Sequence, residues 1–399
     1  MAKTLRDGDW LDSERAIGYA RIILAVSAVA AILWVAAADR GIDIAGKPLG
    51  TDFLAFWSAG QLAISGHPAS AYDLAQLYAV ERGAVAEDPG IACFLYPPAF
   101  LLIVAPLAIF PYFAALPLWL AATGAAYWRA MRRWIGDVPH GRLALLAYPA
   151  LAANLGHGQN GFLTAALLAG GLSQIDRRPV VAGALLGAMV IKPQLALALP
   201  VMALAGQRWQ LTAGAIASAS ALCLASWLVL GNATWTAFLH GSATARTIIE
   251  DGLVSYPKMM SLSAAIHLLG GSISIAYAAQ ALMAIAAAAM LVLVCRRSPH
   301  SDAIGAVTGA TTLLMSPFLL DYDLTIAAIP LAWLFGETQR RGFLPWEKTV
   351  LAATFILPLL ARSLAATLHL PLAPVVLAAL ALATTRAALM PGASARVPA

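Results

Sequence analysis

Asp52 stands in the run Thr51-Asp52-Phe53-Leu54-Ala55-Phe56-Trp57-Ser58-Ala59-Gly60, just after the first stretch long enough to cross a membrane. A carboxylate at that boundary is costly to desolvate and needs a reason. One reason is chemistry on a lipid-linked substrate. The plainer one is a helix cap, because Asp before a helical run satisfies the first free N–H groups. Asp73, following Tyr72, has the same two readings at the head of a second amphipathic run. Tyr96-Pro97-Pro98 opens the next apolar stretch, with proline where a missing N–H costs nothing.

Further polar groups sit beside apolar segments. Gln159, Asn160 and Lys192-Pro193 are of this kind. A membrane-edge lysine is a functional candidate by default, unless it reaches out to the headgroups. Gln and Asn also serve to bridge helices. Arg246, Tyr256 and Lys258 fall in a long polar stretch, 232–261, and segments of that length are functional or disordered. Asp321-Tyr322-Asp323 spells a D-x-D of the kind that holds a metal–nucleotide pair. Here it opens a membrane helix with no soluble nucleotide-binding domain around it, so a cap or a cavity lining is the better reading.

Membrane helices must position these residues. The chain has 399 residues, 61% of them hydrophobic and 11% charged, and no soluble domain of this size needs so much apolar surface. Runs of roughly 18–20 apolar residues recur from end to end, each able to cross a ~30 Å hydrocarbon core. The absence of alternating ~10-residue segments excludes a β-barrel. The sequence therefore predicts an all-α polytopic membrane protein forming a single domain over 1–399. Helices are expected near 17–37, 97–110, 112–131, 142–155, 160–174, 179–191, 193–206, 210–230, 262–295 (whole or broken), 302–316, 322–335, 347–361 and 370–389. The first is expected to be an uncleaved span rather than a signal peptide, since many spans follow it.

Charge gives the orientation. Arg132-Arg133, Arg177-Arg178, Arg296-Arg297 and Arg340-Arg341 lie between apolar stretches, as cytoplasmic loops do. The net charge of +5 therefore marks membrane topology and not a nucleic-acid partner. Residues 39–92 carry mostly acids, which suits an external loop; two short interfacial helices with aromatics at headgroup depth are expected there. The 232–261 stretch is expected to be a second external loop. One conflict stands: if 97–110 and 112–131 both cross, the basic Arg129–Arg142 segment falls outside. Cys93, Cys223 and Cys295 are too few and too far apart for a framework or metal site. There is no P-loop, zinc spacing or G-x-S-x-G, and no cofactor is expected.

Taken in order, Asp52-Phe53, Phe56-Trp57, Gly66, Tyr72-Asp73, Phe94-Leu95-Tyr96-Pro97-Pro98, Gly158-Gln159-Asn160, Lys192-Pro193-Gln194, Ser316-Pro317 and Tyr322-Asp323 resemble glycosyltransferase family 87, the DUF2029 group. The resemblance implies a GT-C fold with about 10–13 transmembrane helices. It also implies a polyprenyl-phosphate-linked sugar donor, a lipid or glycan acceptor, mannose as the first candidate for the hexose, and contact with membrane lipids. By the same resemblance the site faces outward from a bacterial inner or plasma membrane. Asp52 occupies the place of the family's catalytic base. A single carboxylate suits that chemistry: phosphate departs without a general acid, so only the acceptor hydroxyl needs a base. Tyr96 would line the cavity near Asp52, and Lys192, Arg246 and Lys258 are candidates for the donor phosphate. Asp73, Gln159, Asn160, Tyr256 and Tyr322 complete the expected binding set. A transporter or flippase of lipid-linked sugars is the alternative, but the paired halves such proteins show are not evident.

Overall fold

The structure, a computed structural model, describes residues 2–85, 92–250 and 255–390, with the side chains of residues 2 and 242–250 outside the description. Among the described residues the elements are all helical, joined by turns and isolated β-bridges. Four helices are long and apolar enough to cross a membrane: Ser13–Ala36, Trp209–Leu230, Ile273–Arg297 and Glu347–Leu368. The others are shorter and often continue across a break. Gly141–Ala147 and Pro149–His157 are separated at Tyr148, whose extended backbone precedes a proline. Pro179–Gly187 runs on as a 3-10 turn to Ile191, and Asp321–Ala327 is a 3-10 turn leading into Ala328–Arg341. The chain is an integral membrane protein built of helices.

Two helices connect one end of the bundle to the other and so define it. Tyr112–Ile135 starts where the Tyr112 hydroxyl donates to the Leu49 and Gly50 carbonyls, and finishes where Trp134 Nε1 donates to the Ala169 carbonyl. Glu347–Leu368 starts beside Arg341 and Arg386 and carries Arg362 to within reach of His157 and Asp321. At the end that holds Trp134 and Arg341, Arg208 pairs with Asp176 and donates to Ser301, and the Trp346 N–H donates to the Arg6 carbonyl. The arginine clusters thus share one end, and Asp52 lies at the other.

The conflict over 97–131 is resolved by geometry. Pro98–Val104 and the 3-10 turn Ala105–Ile109 together span only about 20 Å, too little for a crossing. Both ends also stay beside Asp52's end. Tyr96 reaches Gln159, while the carbonyls of Phe110 and Ala108 accept from Trp57 Nε1 and Gln61 Nε2. The segment lies against Phe53–Ile64 over Gly60, where a Cβ would come within 2.9 Å of the Ala108 methyl. It enters and leaves at one end of the bundle, so of the two segments only Tyr112–Ile135 runs to the other end. The Arg129–Arg142 segment then joins the other basic clusters.

Two expectations are corrected. The aromatics of Phe53–Ile64 are not laid out toward headgroups: Phe53, Leu54, Ala55 and Phe56 are buried in succession within the protein, as befits a helix apolar all round. Leu74–Ala84 is the amphipathic one, burying Leu77 and Glu81. The 232–261 stretch is mostly helix, Asn232–Glu250, with Phe238 against Tyr72 at 5.7 Å. The 262–295 stretch takes the broken form, as Leu262–Leu268 and Ile273–Arg297, divided at Gly270 and Gly271.

The small-residue spacing of Gly183 and Gly187 does bring helices together. A Cβ on either glycine would fall within 2.2 Å of backbone oxygens of Trp209–Leu230. Such close approach is how helices associate in lipid.

Candidate active site

Asp52 is held by backbone. Its N–H donates to the His157 carbonyl at 3.0 Å, tying it to the end of Pro149–His157. The turn beyond His157 needs Gly158, which has φ +65° and would press a Cβ against Phe53 at 2.7 Å. Trp119 Nε1 donates to the Gly158 carbonyl and locks that turn.

Asp52 sits in the cap position of Phe53–Ile64, yet its side chain makes no capping bond. The cap explanation is therefore overturned, and the carboxylate is directed elsewhere. Oδ2 accepts from Lys258 Nζ at 2.9 Å and from Gln159 Nε2 at 3.2 Å. Oδ1 faces Thr51 Oγ1 at 3.4 Å and His157 Nδ1 at 4.0 Å. Burial pushes the carboxyl's pKa up, but Lys258, His157 and the Gln159 bond outweigh it and hold the group below its ordinary range.

Gln159 has a fixed orientation. Its Oε1 accepts from the Tyr96 hydroxyl at 3.2 Å and from the Asn160 N–H at 2.9 Å, which leaves Nε2 to donate to Asp52. Tyr96 is set in turn by the Phe56 and Phe100 rings, at 5.3 and 4.7 Å. An aromatic wall thus orients an amide, and the amide orients the carboxylate.

Lys192 does not reach the headgroups. It is 2% exposed, and its Nζ lies 2.6 Å from Asp323 Oδ1 and 3.4 Å from Asn160 Oδ1. Asp323 also accepts from the Leu320 N–H, so it caps its own turn while neutralising the lysine. The Tyr322 ring lies between two ammonium groups, Lys192 at 4.7 Å and Lys258 at 5.5 Å from its centre, an arrangement the ring's negative face favours. Lys258 rides on the short turn Tyr256–Lys258, anchored where the Met260 N–H donates to the Leu319 carbonyl.

The structure thus brings Asp52, Tyr96, Gln159, Asn160, Lys192, Lys258 and Tyr322 together. Asp73 stands apart in role: its carboxylate accepts from the Ala75 and Gln76 N–H groups and caps Leu74–Ala84. The Tyr256 ring turns to His267, 4.4 Å away. The Arg246 side chain lies outside the described residues.

Sequence reasoning missed Thr51, His157 and Arg362 as members of the cluster, and it read Asp321 and Asp323 only as a cap or cavity lining. His157 Nε2 lies 3.9 Å from Asp321 Oδ2 and 3.5 Å from Arg362 Nη1, and Arg362 lies 3.7 Å from Asp321. The D-x-D carried the available signal, because two acids at the end of an apolar run require buried cations. Each carboxylate has its own: Asp323 faces Lys192 and Asp321 faces Arg362. They do not converge on one point.

Similarity to known proteins bears on this cluster directly. The model of glycosyltransferase family 87 matches residues 94–317, more than half of the chain. The protein belongs to glycosyltransferase family 87. No curated protein and no solved structure matches it. Tyr96, Gln159, Asn160, Lys192 and Lys258 fall within the matched segment, while Asp52, Asp321 and Asp323 lie beyond its ends.

Proposed function

We propose that the protein transfers a hexose, mannose as the first candidate, from a polyprenyl-phosphate carrier to a hydroxyl of a lipid or glycan. Asp52 is the base, and it removes the acceptor proton as the acceptor oxygen attacks the anomeric carbon. Direct displacement inverts that carbon. The observation that carries this reading is a carboxylate in a capping position that makes no cap bond, points into a polar cluster and is held ionised by Lys258.

Lys258 is the cation best placed for the donor phosphate. It is 16% exposed, whereas Lys192 is consumed by Asp323. The arginine clusters at the opposite end argue for a cytoplasmic position there, and hence for a site on the external face. A carrier embedded in the membrane would bring its phosphate to that level without a soluble nucleotide-binding domain. Holding donor and acceptor together supplies much of the remaining rate.

The test is to incubate purified protein in detergent with polyprenyl-phosphate-mannose and a membrane-lipid extract. A glycosylated product is expected. Asp52→Asn should lower its formation by about 10²–10⁴, the range acid–base catalysis supplies. A flippase would give no product in an assay without compartments. Turnover with GDP-mannose alone, or near-normal turnover by Asp52→Asn, would remove this reading.

A further inference from the structure

The transfer step as written leaves a proton on Asp52 and gives the neighbouring imidazole no task. Thr51 Oγ1 bridges the two groups, 3.4 Å from Asp52 Oδ1 and 3.1 Å from His157 Nδ1. The far side of the ring meets Asp321 at 3.9 Å and Arg362 at 3.5 Å. Along this line side-chain exposure is 25% for Asp52, 19% for His157, 5% for Asp321 and 50% for Arg362. The line runs from the reactive carboxylate to an open edge of the protein.

We propose that His157 relays the acceptor's proton away from Asp52, through the Thr51 hydroxyl, to solvent beside Arg362. This rests on the reading of Asp52 as base. The two carboxylate oxygens divide the work. Oδ2 is held by Lys258 and Gln159. Oδ1 is the oxygen turned to Thr51. While donor and acceptor fill the reactive face, Thr51 and His157 provide a way out that neither substrate blocks.

The proton balance is simple. The acceptor oxygen forms its bond to the anomeric carbon as the bond to the phosphate oxygen breaks, and that electron pair stays on the phosphate. The acceptor proton goes to Asp52. Asp52 returns it to Thr51 Oγ1 while Thr51 passes its own proton to Nδ1. The resulting imidazolium lies between two carboxylates, Asp52 and Asp321, one at each nitrogen. Water at the Arg362 edge takes the proton from Nε2, leaving the Nδ1–H tautomer; rotation of the ring toward that edge lets Nδ1 give its proton to water and Nε2 take one up, which restores the starting tautomer.

Charge around the ring is balanced in the resting cluster. Asp52, Asp321 and Asp323 balance Lys192, Lys258 and Arg362 when His157 is neutral. The groups facing the ring are Asp52, Asp321, Lys258 and Arg362, two of each sign. A donor phosphate adds negative charge beside Lys258, which offsets that cation and strengthens the ring's hold on a proton.

The experiment separates the first turnover from later ones, by rapid quench, with purified protein, polyprenyl-phosphate-mannose and lipid extract. His157→Gln should complete a first turnover with near-normal amplitude. Its steady-state rate should fall on the order of 10-fold or more, and added imidazole should restore it. Thr51→Val should behave likewise, and Thr51→Ser should recover. A steady-state rate equal to the parent's in both variants would overturn the relay. So would equal slowing of first and later turnovers with no response to imidazole. Asp52→Asn run alongside separates the two claims. If it is inactive while His157→Gln is normal, only the relay fails; if it is active, the base assignment fails first.

Discussion

Lys258 Nζ and Asp52 Oδ2 lie 2.9 Å apart although 206 residues separate them in the chain. The base of the proposed reaction therefore rests against a cation delivered by a different part of the fold. That contact keeps Asp52 ionised and gives the donor phosphate a partner to compete for.

Removing Lys258 has a definite sign. Asp52 has a depressed pKa, so its ionised form persists to lower pH than an ordinary carboxylate's. Lys258→Met removes the largest of the influences lowering it, and the acid limb of the kcat/KM profile should move to higher pH. Donor KM should rise as well. A profile whose acid limb stays in place would separate Lys258 from the ionisation of Asp52.

The Lys192–Asp323 pair should matter chiefly for stability. It is buried on both sides, with side chains 2% and 0% exposed. Removing one partner leaves an unpaired buried charge, a loss of about 3–5 kcal/mol. Lys192→Met and Asp323→Asn should each lower the unfolding temperature in detergent, and the double variant should recover part of the loss. Additive losses would show that the two charges do not compensate each other.

Glu81 predicts a pH dependence of the opposite kind. It is fully buried at the foot of Leu74–Ala84, and burial raises its pKa from the ordinary 4.5 to about 7, against a single bond from the Ala92 N–H. The folded state therefore holds the proton more tightly than the unfolded state. Its contribution to stability is complete below pH 4.5, declines through the window to about pH 7 and is flat above it. Glu81→Gln should remove that slope and raise the unfolding temperature at pH 8. An unchanged slope would mean that Glu81 ionises as readily in the fold as outside it.

Orientation can be read with engineered thiols. Cys93 is a poor probe, because burial and the nearby Glu81 push its thiol pKa up. Ala69→Cys on the side proposed as external and Asp137→Cys in the basic segment should serve better, in a background without native cysteines. An impermeant reagent should label Ala69→Cys in intact cells and Asp137→Cys only after permeabilisation. The reverse pattern would invert the protein in the membrane.

Much of the scaffold is legible in the sequence because lipid makes helix the default and long apolar runs announce it. Asp52, Gln159, Asn160 and Lys192 can be singled out because polarity is conspicuous beside such runs. Pairing is not legible in the same way. Nothing local to Lys192 names Asp323 as its partner, and nothing local to His157 places it beside Asp52. The depth of 98–109 is equally hidden. Its composition is that of a span, and only its contacts with Trp57 and Gln61 show that it turns back. Asn232–Glu250 reads as loop because it has no long apolar run, although its aromatic face packs on Tyr72.

The segment that turns back also bears on how the sequence is free to change. Phe53–Ile64 and Pro98–Ile109 both stay on the side from which they enter. Neither reverses the direction of the later helices, so the handing-over of the chain from one side to the other passes straight from Ser13–Ala36 to Tyr112–Ile135. The described segments between residues 37 and 111 leave the threading of the rest unaltered. Charges, lengths and loops within them can be exchanged without turning the protein over. A lineage could thus remodel the neighbourhood of Asp52 for a new acceptor while the remainder of the bundle stays as it is.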